Sequence, residues 1–152
     1  MRSKGRTAEA GTTTEIVWRL RLATAPARVF GAWLSPADHE RFWCERSEAL
    51  PDGSFRQHFI DGTVARCAVE DTVAGVRIRF RYFNSQVDIH LERRGEGTDL
   101  TLIARGVEPH EWTDVHAGWL NVLLPFKAWV DFGVDLRNHD PQRTWAQRYV
   151  DQ

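Results

Sequence analysis

Apolar and polar residues alternate near the start of the chain. Within residues 15–23 every second side chain is large and apolar: Ile16, Trp18, Leu20 and Leu22. This period of two is typical of a strand with one buried face. After Pro26 the apolar residues recur at spacings of three and four, which predicts a short amphipathic helix. Ser35 can cap a second short helix that begins at Pro36 and runs to about Trp43.

A first hairpin is predicted around the dipeptide Asp61-Gly62, which favours a two-residue turn. In that register Gln57 lies opposite Arg66, and Cys67 falls on the outer face. The inner face then carries a mixed set of side chains: Phe55, Gln57, Phe59, Val64, Arg66 and Ala68. Because an arginine on an aromatic inner face is removed from water, it needs either an acidic partner or an anionic ligand. The remaining alternative is an error of register that leaves Arg66 in solvent at the edge of the sheet.

A second hairpin is predicted with its turn at Asn84-Ser85. This register pairs Tyr82 with Val87 and Phe80 with Ile89 on the apolar face. On the opposite face arginines meet acidic residues: Arg77 with Glu92, and Arg81 with Asp88. We interpret this face as a solvated, charge-paired surface, with a protein-docking surface as the alternative. Together with a last strand after the Gly95-Gly97 turn, the pattern predicts six antiparallel strands.

The period changes from two to that of a helix near Thr113 and keeps it to roughly Leu136, which predicts one long helix. Asp140-Pro141 is a suitable start for a short terminal helix that carries Trp145 and Tyr149. That terminal helix either packs on its own domain or contributes to a dimer contact. The predicted fold class is α+β, with a curved six-stranded antiparallel sheet around the long helix.

A chain of 152 residues has room for one domain. We predict a disordered leader at 1–13, the folded domain at 14–138 and a C-terminal extension at 139–152. Lysine and arginine (20) nearly balance aspartate and glutamate (21), and no apolar run is long enough to span a membrane. We therefore expect a cytoplasmic protein with neither nucleic acid nor membrane as a partner. Cys44 and Cys67 lack a CxxC arrangement, so both are predicted to be free thiols.

The order of these elements resembles the SRPBCC or START-like superfamily, whose fold is called the helix grip. The segments that carry the resemblance are APARVF at 25–30, LSP at 34–36, RFW at 41–43, DGSF at 52–55, GT at 97–98 and GW at 118–119. The closer match is the branch named after the activator of heat-shock-protein-90 ATPase homologue. This resemblance implies an internal pocket for a hydrophobic molecule, and the branch name implies co-chaperone action.

Eleven side chains are candidates for lining such a pocket. Eight of them are aromatic: Trp18, Trp43, Phe55, Phe59, Phe80, Tyr82, Trp112 and Trp119. An aromatic stripe of this kind is more often plain core than ligand lining, and it is the resemblance in fold that favours a pocket. The polar candidates are Gln57, Arg66 and His116, which would hold the ligand's head group. His116 lies near the start of the long helix, where it could bond a ligand, act as an acid or base, or be a satisfied rim histidine.

The chain lacks the motifs of a metal, phosphate or nucleophile site. It has no HExxH, no GxSxG and no glycine-rich phosphate loop, so we predict no metal, no cofactor and no assigned catalytic residue. The first functional hypothesis is binding of a small hydrophobic ligand, with an acidic head group as one option. The alternatives are a protein-interaction module of co-chaperone type and a cyclase- or hydrolase-like enzyme that uses His116 and Tyr82. Both a monomer and a homodimer fit the sequence.

Overall fold

The computed structural model describes residues 14–152, and the predicted leader lies outside these residues. One sheet contains the strands β1 (Thr14–Leu22), β2 (Arg46–Ala49), β3 (Phe55–His58), β4 (Val64–Val73), β5 (Arg77–Tyr82), β6 (Ser85–Arg94) and β7 (Gly97–Val107). The helices are α1 (Pro26–Trp33), α2 (Pro36–Phe42) and α3 (Trp112–Phe132), with 3-10 turns at Pro109–Glu111 and Trp145–Gln147. The strand order is β1-β7-β6-β5-β4-β3-β2, and all neighbours are antiparallel.

The α+β class and the long C-terminal helix are confirmed, but the predicted count of six strands is wrong, because residues 14–152 form seven. The additional strand is β2, which pairs with β3 at the edge of the sheet. Its four residues read RSEA, and only Ser47 among them is buried. A strand this short and polar lacks the apolar alternation from which strands are predicted.

Local sequence signals explain where the helices begin and end. Pro26 and Pro36 occupy the first turns of α1 and α2, and the Ser35 hydroxyl accepts a hydrogen bond from the Asp38 backbone N–H at 3.2 Å. Helix α3 ends earlier than predicted because Gly133 adopts the left-handed conformation, with φ of 69°. Beyond it, the predicted terminal helix is only the 3-10 turn at Trp145–Gln147.

The register of the first hairpin differs from the predicted one by a single residue. Phe55 pairs with Cys67, and Gln57 pairs with Ala65. The turn is longer than two residues, since the Phe59 backbone N–H donates to the carbonyl oxygen of Thr63 at 2.8 Å. A shift by one residue exchanges the two faces of a strand. Arg66 therefore lies on the outer face and Cys67 on the inner face, the reverse of the prediction.

The second hairpin is shifted by two residues, so its faces remain as predicted. Tyr82 pairs with Ser85 and Phe80 with Val87, because the two-residue turn is Phe83-Asn84. Phe83 adopts a positive φ of 53°, the conformation that such turns require. On the outer face Arg79 meets Asp88 at 2.7 Å, and the predicted pairs of Arg77 and Arg81 are replaced.

The core lies between the inner face of the sheet and the three helices. Its largest fully buried apolar side chains come from every layer: Ile16, Leu22, Phe42, Ile78, Phe80, Ile89, Leu100, Leu102 and Phe126. Asp131 joins α3 to the end of β1, because its carboxylate accepts hydrogen bonds from the backbone N–H groups of Ala23 at 2.9 Å and Thr24 at 3.1 Å. None of the described helices is long and apolar enough to cross a membrane.

Candidate ligand-binding cleft

A cleft of about 500 Å³ opens at one end of the sheet. The turn between β3 and β4, the turn between β5 and β6, and the end of β7 form one side of it. The first half of α3 and the segment after that helix form the other side. The lining residues from the sheet side are Phe59, Asp61, Thr63, Tyr82, Phe83, Asn84, Ser85, Gly106 and Val107, with Trp43 from the end of α2.

Helix α3 presents one continuous face to the cleft, formed by residues spaced three and four apart. These residues are Asp114, Val115, Gly118, Trp119, Asn121 and Val122. Gly118 leaves the space beside the helix open, because a β-carbon built on it would meet no heavy atom within 4 Å. The volume of the cleft next to this turn of the helix therefore depends on the absence of a side chain.

The C-terminal segment, residues 133–152, completes the wall of the cleft with Arg137, Trp145 and Gln152. Arg137 fixes this segment to the region around α2. Its guanidinium donates to the carbonyl oxygens of Cys44 at 2.9 Å and Glu40 at 2.6 Å, and its Nε donates to Asp135 at 3.2 Å. Further along, the Asn138 backbone N–H donates to the carbonyl oxygen of residue 151 at 2.7 Å, which closes the segment into a loop.

Three aromatic rings form the floor of the cleft. The ring centroids of Trp43 and Tyr82 lie 5.3 Å apart, and those of Tyr82 and Trp119 lie 5.7 Å apart. Trp43 is 5% exposed, and its indole Nε1 makes no hydrogen bond to any residue from 14 to 152. Burial raises the pKa of the Tyr82 hydroxyl well above its usual value. Tyr82 therefore keeps its hydroxyl proton at neutral pH and cannot serve as a base there.

Four of the eleven predicted residues line the cleft: Trp43, Phe59, Tyr82 and Trp119. Phe55 and Phe80 are buried in the core. Arg66 is exposed and forms an ion pair with Asp52, so it does not face the interior. This placement corrects the prediction of an inner-face arginine, and its physical reason is the one-residue shift of register.

Gln57 lies on the inner face as predicted but does not line the cleft. It is 0% exposed, and neither atom of its amide has a hydrogen-bond partner within the described residues. A buried amide in this state costs free energy, because it has left water without replacing the hydrogen bonds it made there.

His116 lies outside the cleft lining, between two indole rings. The ring centroid of His116 is 4.5 Å from that of Trp18 and 4.3 Å from that of Trp112. The Trp18 Nε1 donates to the His116 carbonyl oxygen at 3.2 Å, and the Trp112 Nε1 donates to the Glu15 carbonyl oxygen at 3.2 Å. These predicted site residues thus form a stack that holds the start of α3 against β1, and His116 does not share the cleft with Tyr82.

Buried titratable groups lie behind the floor. The two ring nitrogens of His39 bond to the Trp33 carbonyl oxygen at 2.7 Å and the Ser47 hydroxyl at 2.9 Å. Burial lowers the pKa of His39 to about 4, so its imidazole is neutral at neutral pH. Cys44 and Cys67 are free thiols, as predicted, and burial raises the pKa of each to about 12.

Sequence reasoning missed much of the lining. The missed side chains include carboxylates at the rim and residues of the C-terminal segment: Asp61, Phe83, Glu111, Asp114, Gly118, Arg137, Trp145 and Gln152. Except for Gly118, which lies within α3, they lie in turns, at the start of α3 or in the C-terminal segment, where no periodic pattern marks a buried face. The position of Gly118 next to Trp119 on the sheet-facing side of the helix was the one available signal.

A family model described as "Activator of Hsp90 ATPase homolog 1-like protein" matches residues 23–131. The chain belongs to this family. The resemblance seen in the sequence is thereby confirmed for this branch. The match ends at residue 131, so the C-terminal segment of this AHSA1-like protein lies beyond the part that the family model describes. No curated protein matches the chain.

Solved structures share the fold of this AHSA1-like chain at low identity. A protein from Staphylococcus saprophyticus is 18% identical with a TM-score of 0.71, over 82% of this chain and 96% of that one. The Aha1 dimer from Colwellia psychrerythraea is 12% identical with a TM-score of 0.70, over 79% and 98%. The AHSA1-like protein from Aeromonas hydrophila is 19% identical with a TM-score of 0.69, over 79% and 94%. Identities this low support the fold alone.

Proposed function

We propose that this protein binds a small hydrophobic molecule in the cleft between the hairpin turns, α3 and the C-terminal segment. The observation that supports this proposal is the cleft itself, whose volume is about 500 Å³ and whose floor is aromatic. Small-molecule sites are usually concave, largely apolar and roughly 300–1,000 Å³ in volume. The family fits ligand-binding or co-chaperone-like modules in general, which agrees with this proposal.

The mechanism of binding is burial of apolar ligand surface against Trp43, Tyr82 and Trp119. Each Å² of apolar surface removed from water contributes about 25 cal/mol. The Tyr82 hydroxyl, which keeps its proton at neutral pH, would orient a ligand that carries an acceptor atom. No chemical step is required of these residues.

The test is binding of the neutral fluorescent probe N-phenylnaphthylamine, with Gly118→Leu as the blocking variant. A leucine side chain on a helix leans toward the preceding turn, here Asp114 and Val115, and would occupy the open part of the cleft. Gly118→Leu should abolish the rise in probe fluorescence. The same substitution should leave the fold intact, because replacing a helix glycine gains about 0.8 kcal/mol of propensity.

The matched control is Gly31→Leu. Gly31 lies in α1, does not line the cleft, and would also bring a β-carbon into open space. It receives the same side chain in the same kind of element, so it should bind the probe like the unchanged protein. Equal probe binding by all three proteins would refute the proposal that the cleft is the site.

A second candidate function is self-association through the outer face of α3. Leu120, Leu124 and Phe132 recur along this helix at multiples of four residues and are 36%, 52% and 71% exposed. Exposed apolar side chains that adjoin one another are typical of interaction sites. In this candidate function the binding partner is a second copy of the chain. The Colwellia psychrerythraea protein, whose structure is described as a dimer, supports this choice of partner.

A further inference from the structure

Three carboxylates stand on the lining of the proposed binding cleft. Asp61 comes from the turn between β3 and β4, while Glu111 and Asp114 come from the start of α3. They approach the cleft from both of its sides. The aromatic floor formed by Trp43 and Tyr82 lies on the same cleft surface. A bound molecule would therefore contact aromatic faces and also experience the field of the three negative charges.

The basic groups near these carboxylates do not neutralise them. Arg137 is the one arginine or lysine on the lining drawn from residues 14–152, and its guanidinium is already paired with Asp135 at 3.2 Å. Among the described residues, the one basic side chain within 4.0 Å of the Glu111 carboxylate is the largely exposed His110 ring, at 3.7 Å. Asp61 accepts one hydrogen bond, from the Thr63 backbone N–H at 2.9 Å, which leaves its charge in place.

We infer that the ligand is an organic cation: an apolar body that carries a protonated amine or a quaternary ammonium group. This inference rests on the proposed function of the cleft. A cation is attracted by Asp61, Glu111 and Asp114, and it also interacts favourably with the faces of tryptophan and tyrosine rings. The Tyr82 hydroxyl on the same lining adds a donor for an acceptor atom on the apolar body. A carboxylate head group would meet repulsion at the same rim.

The charge on the cleft thus reverses the expectation of an acidic head group. That expectation depended on Arg66 lying on the inner face, but Arg66 is on the outer face and paired with Asp52. The basic side chain that does reach the cleft, Arg137, uses its donors to fix the C-terminal segment. No basic group of the described lining is left to hold an anion.

The test compares three probes of one shape at neutral pH: naphthylmethylamine, naphthylmethanol and naphthoate. Isothermal titration calorimetry on the full chain measures the affinity of each. The amine should bind at least about ten-fold more tightly than the carboxylate, with the alcohol between them, because each rim carboxylate at 4 Å changes affinity about five-fold even in bulk water. Raising the salt concentration from roughly 0.01 M to roughly 1 M should reduce the differences in affinity among the three probes, because the Debye length falls ten-fold.

Asp114→Asn removes one carboxylate from the cleft with almost no change of shape, and Glu96→Gln is the matched control. Glu96 lies in the turn between β6 and β7, at the other end of β6 from the cleft. Asp114→Asn should weaken amine binding about five-fold and leave the affinity for the alcohol unchanged. Glu96→Gln should change neither affinity.

The outcomes separate this inference from the function on which it rests. If the carboxylate binds as tightly as the amine, or if Asp114→Asn does not affect the amine, the cationic ligand class is overturned while probe binding in the cleft still stands. If none of the three probes binds and N-phenylnaphthylamine does not bind either, the proposed function fails and the inference fails with it.

Discussion

Replacing the buried Gln57 amide with an apolar side chain should stabilise the protein. Gln57 is 0% exposed on β3, and the described residues supply no hydrogen-bond partner for either amide atom. Protein mutational data put the cost of burying an amide without compensation at about 1–3 kcal/mol. Methionine has a similar length, no branch and no strong hydrogen-bonding group, so Gln57→Met removes that cost and keeps the shape. We expect unfolding to require about 1–3 kcal/mol more free energy.

Urea unfolding followed by tryptophan fluorescence measures this difference, and thermal unfolding followed by circular dichroism checks it. For a chain of 152 residues each kcal/mol raises Tm by roughly 2–4 °C. The control is Gln86→Met on the outer face, where the Gln86 amide donates to Glu70 at 3.1 Å. A surface substitution of this kind should change stability by no more than about 0.5 kcal/mol.

A loss of stability in Gln57→Met would refute this reasoning, because it would show that the amide satisfies its hydrogen bonds in the folded protein. Gln57→Leu is a second variant that distinguishes poor packing of the methionine side chain from the effect of removing the amide, because leucine is apolar but has a different shape. If both variants are less stable than the parent by more than about 1 kcal/mol, bound water or another partner must hydrogen-bond the amide.

Two further predictions concern stability at acid pH and self-association. Because burial lowers the pKa of His39 from 6.5 to about 4, the unfolded chain binds the proton more tightly, and about 2 kcal/mol of stability should be lost between pH 7 and pH 5. Urea titrations of His39→Gln should show a flatter pH dependence over this window, and an unchanged slope would contradict the assignment. For the second candidate function, Leu124→Lys should convert dimers to monomers in sedimentation velocity, while Val64→Lys, on an equally exposed valine of the sheet, should not. A parent protein that sediments as a monomer at high concentration would remove this candidate.

The sequence predicted the elements well wherever one face of a strand or helix is apolar over many residues. The strand β1 and the helix α3 follow directly from such patterns. The register of paired strands was harder to predict, because it depends on the length of the turn that joins them. The dipeptide Asp61-Gly62 favours a two-residue turn, but in the structure the turn is longer and the Phe59 backbone bonds to Thr63. Because of this one-residue difference in register, the prediction placed Arg66 on the inner face, whereas it lies on the outer face. In the second hairpin an error of two residues left every face unchanged.

The cleft was predictable only in part. Tyr82 and Trp119 were predicted correctly because they lie on the apolar faces of β5 and α3, where the periodic pattern is clear. The rim residues Asp61 and Asp114 were missed because their position depends on how separate turns meet in three dimensions. Arg137 was missed for the same reason, since its partners lie more than 90 residues earlier in the chain. Contacts of this range leave no periodic trace in the sequence.

The C-terminal segment has a consequence for how such a protein can change its ligand. It supplies Trp145 and Gln152 to the cleft, and near its start it is fastened by Arg137 to the region around α2 and by His139 to Glu45 at 2.7 Å. From Asn138 it closes on itself, outside the region that the family model covers. If the cleft holds the proposed ligand, part of its selectivity is carried by a segment outside the family core, and grafting new sequences between residues 140 and 152 is a direct route to receptors for other molecules.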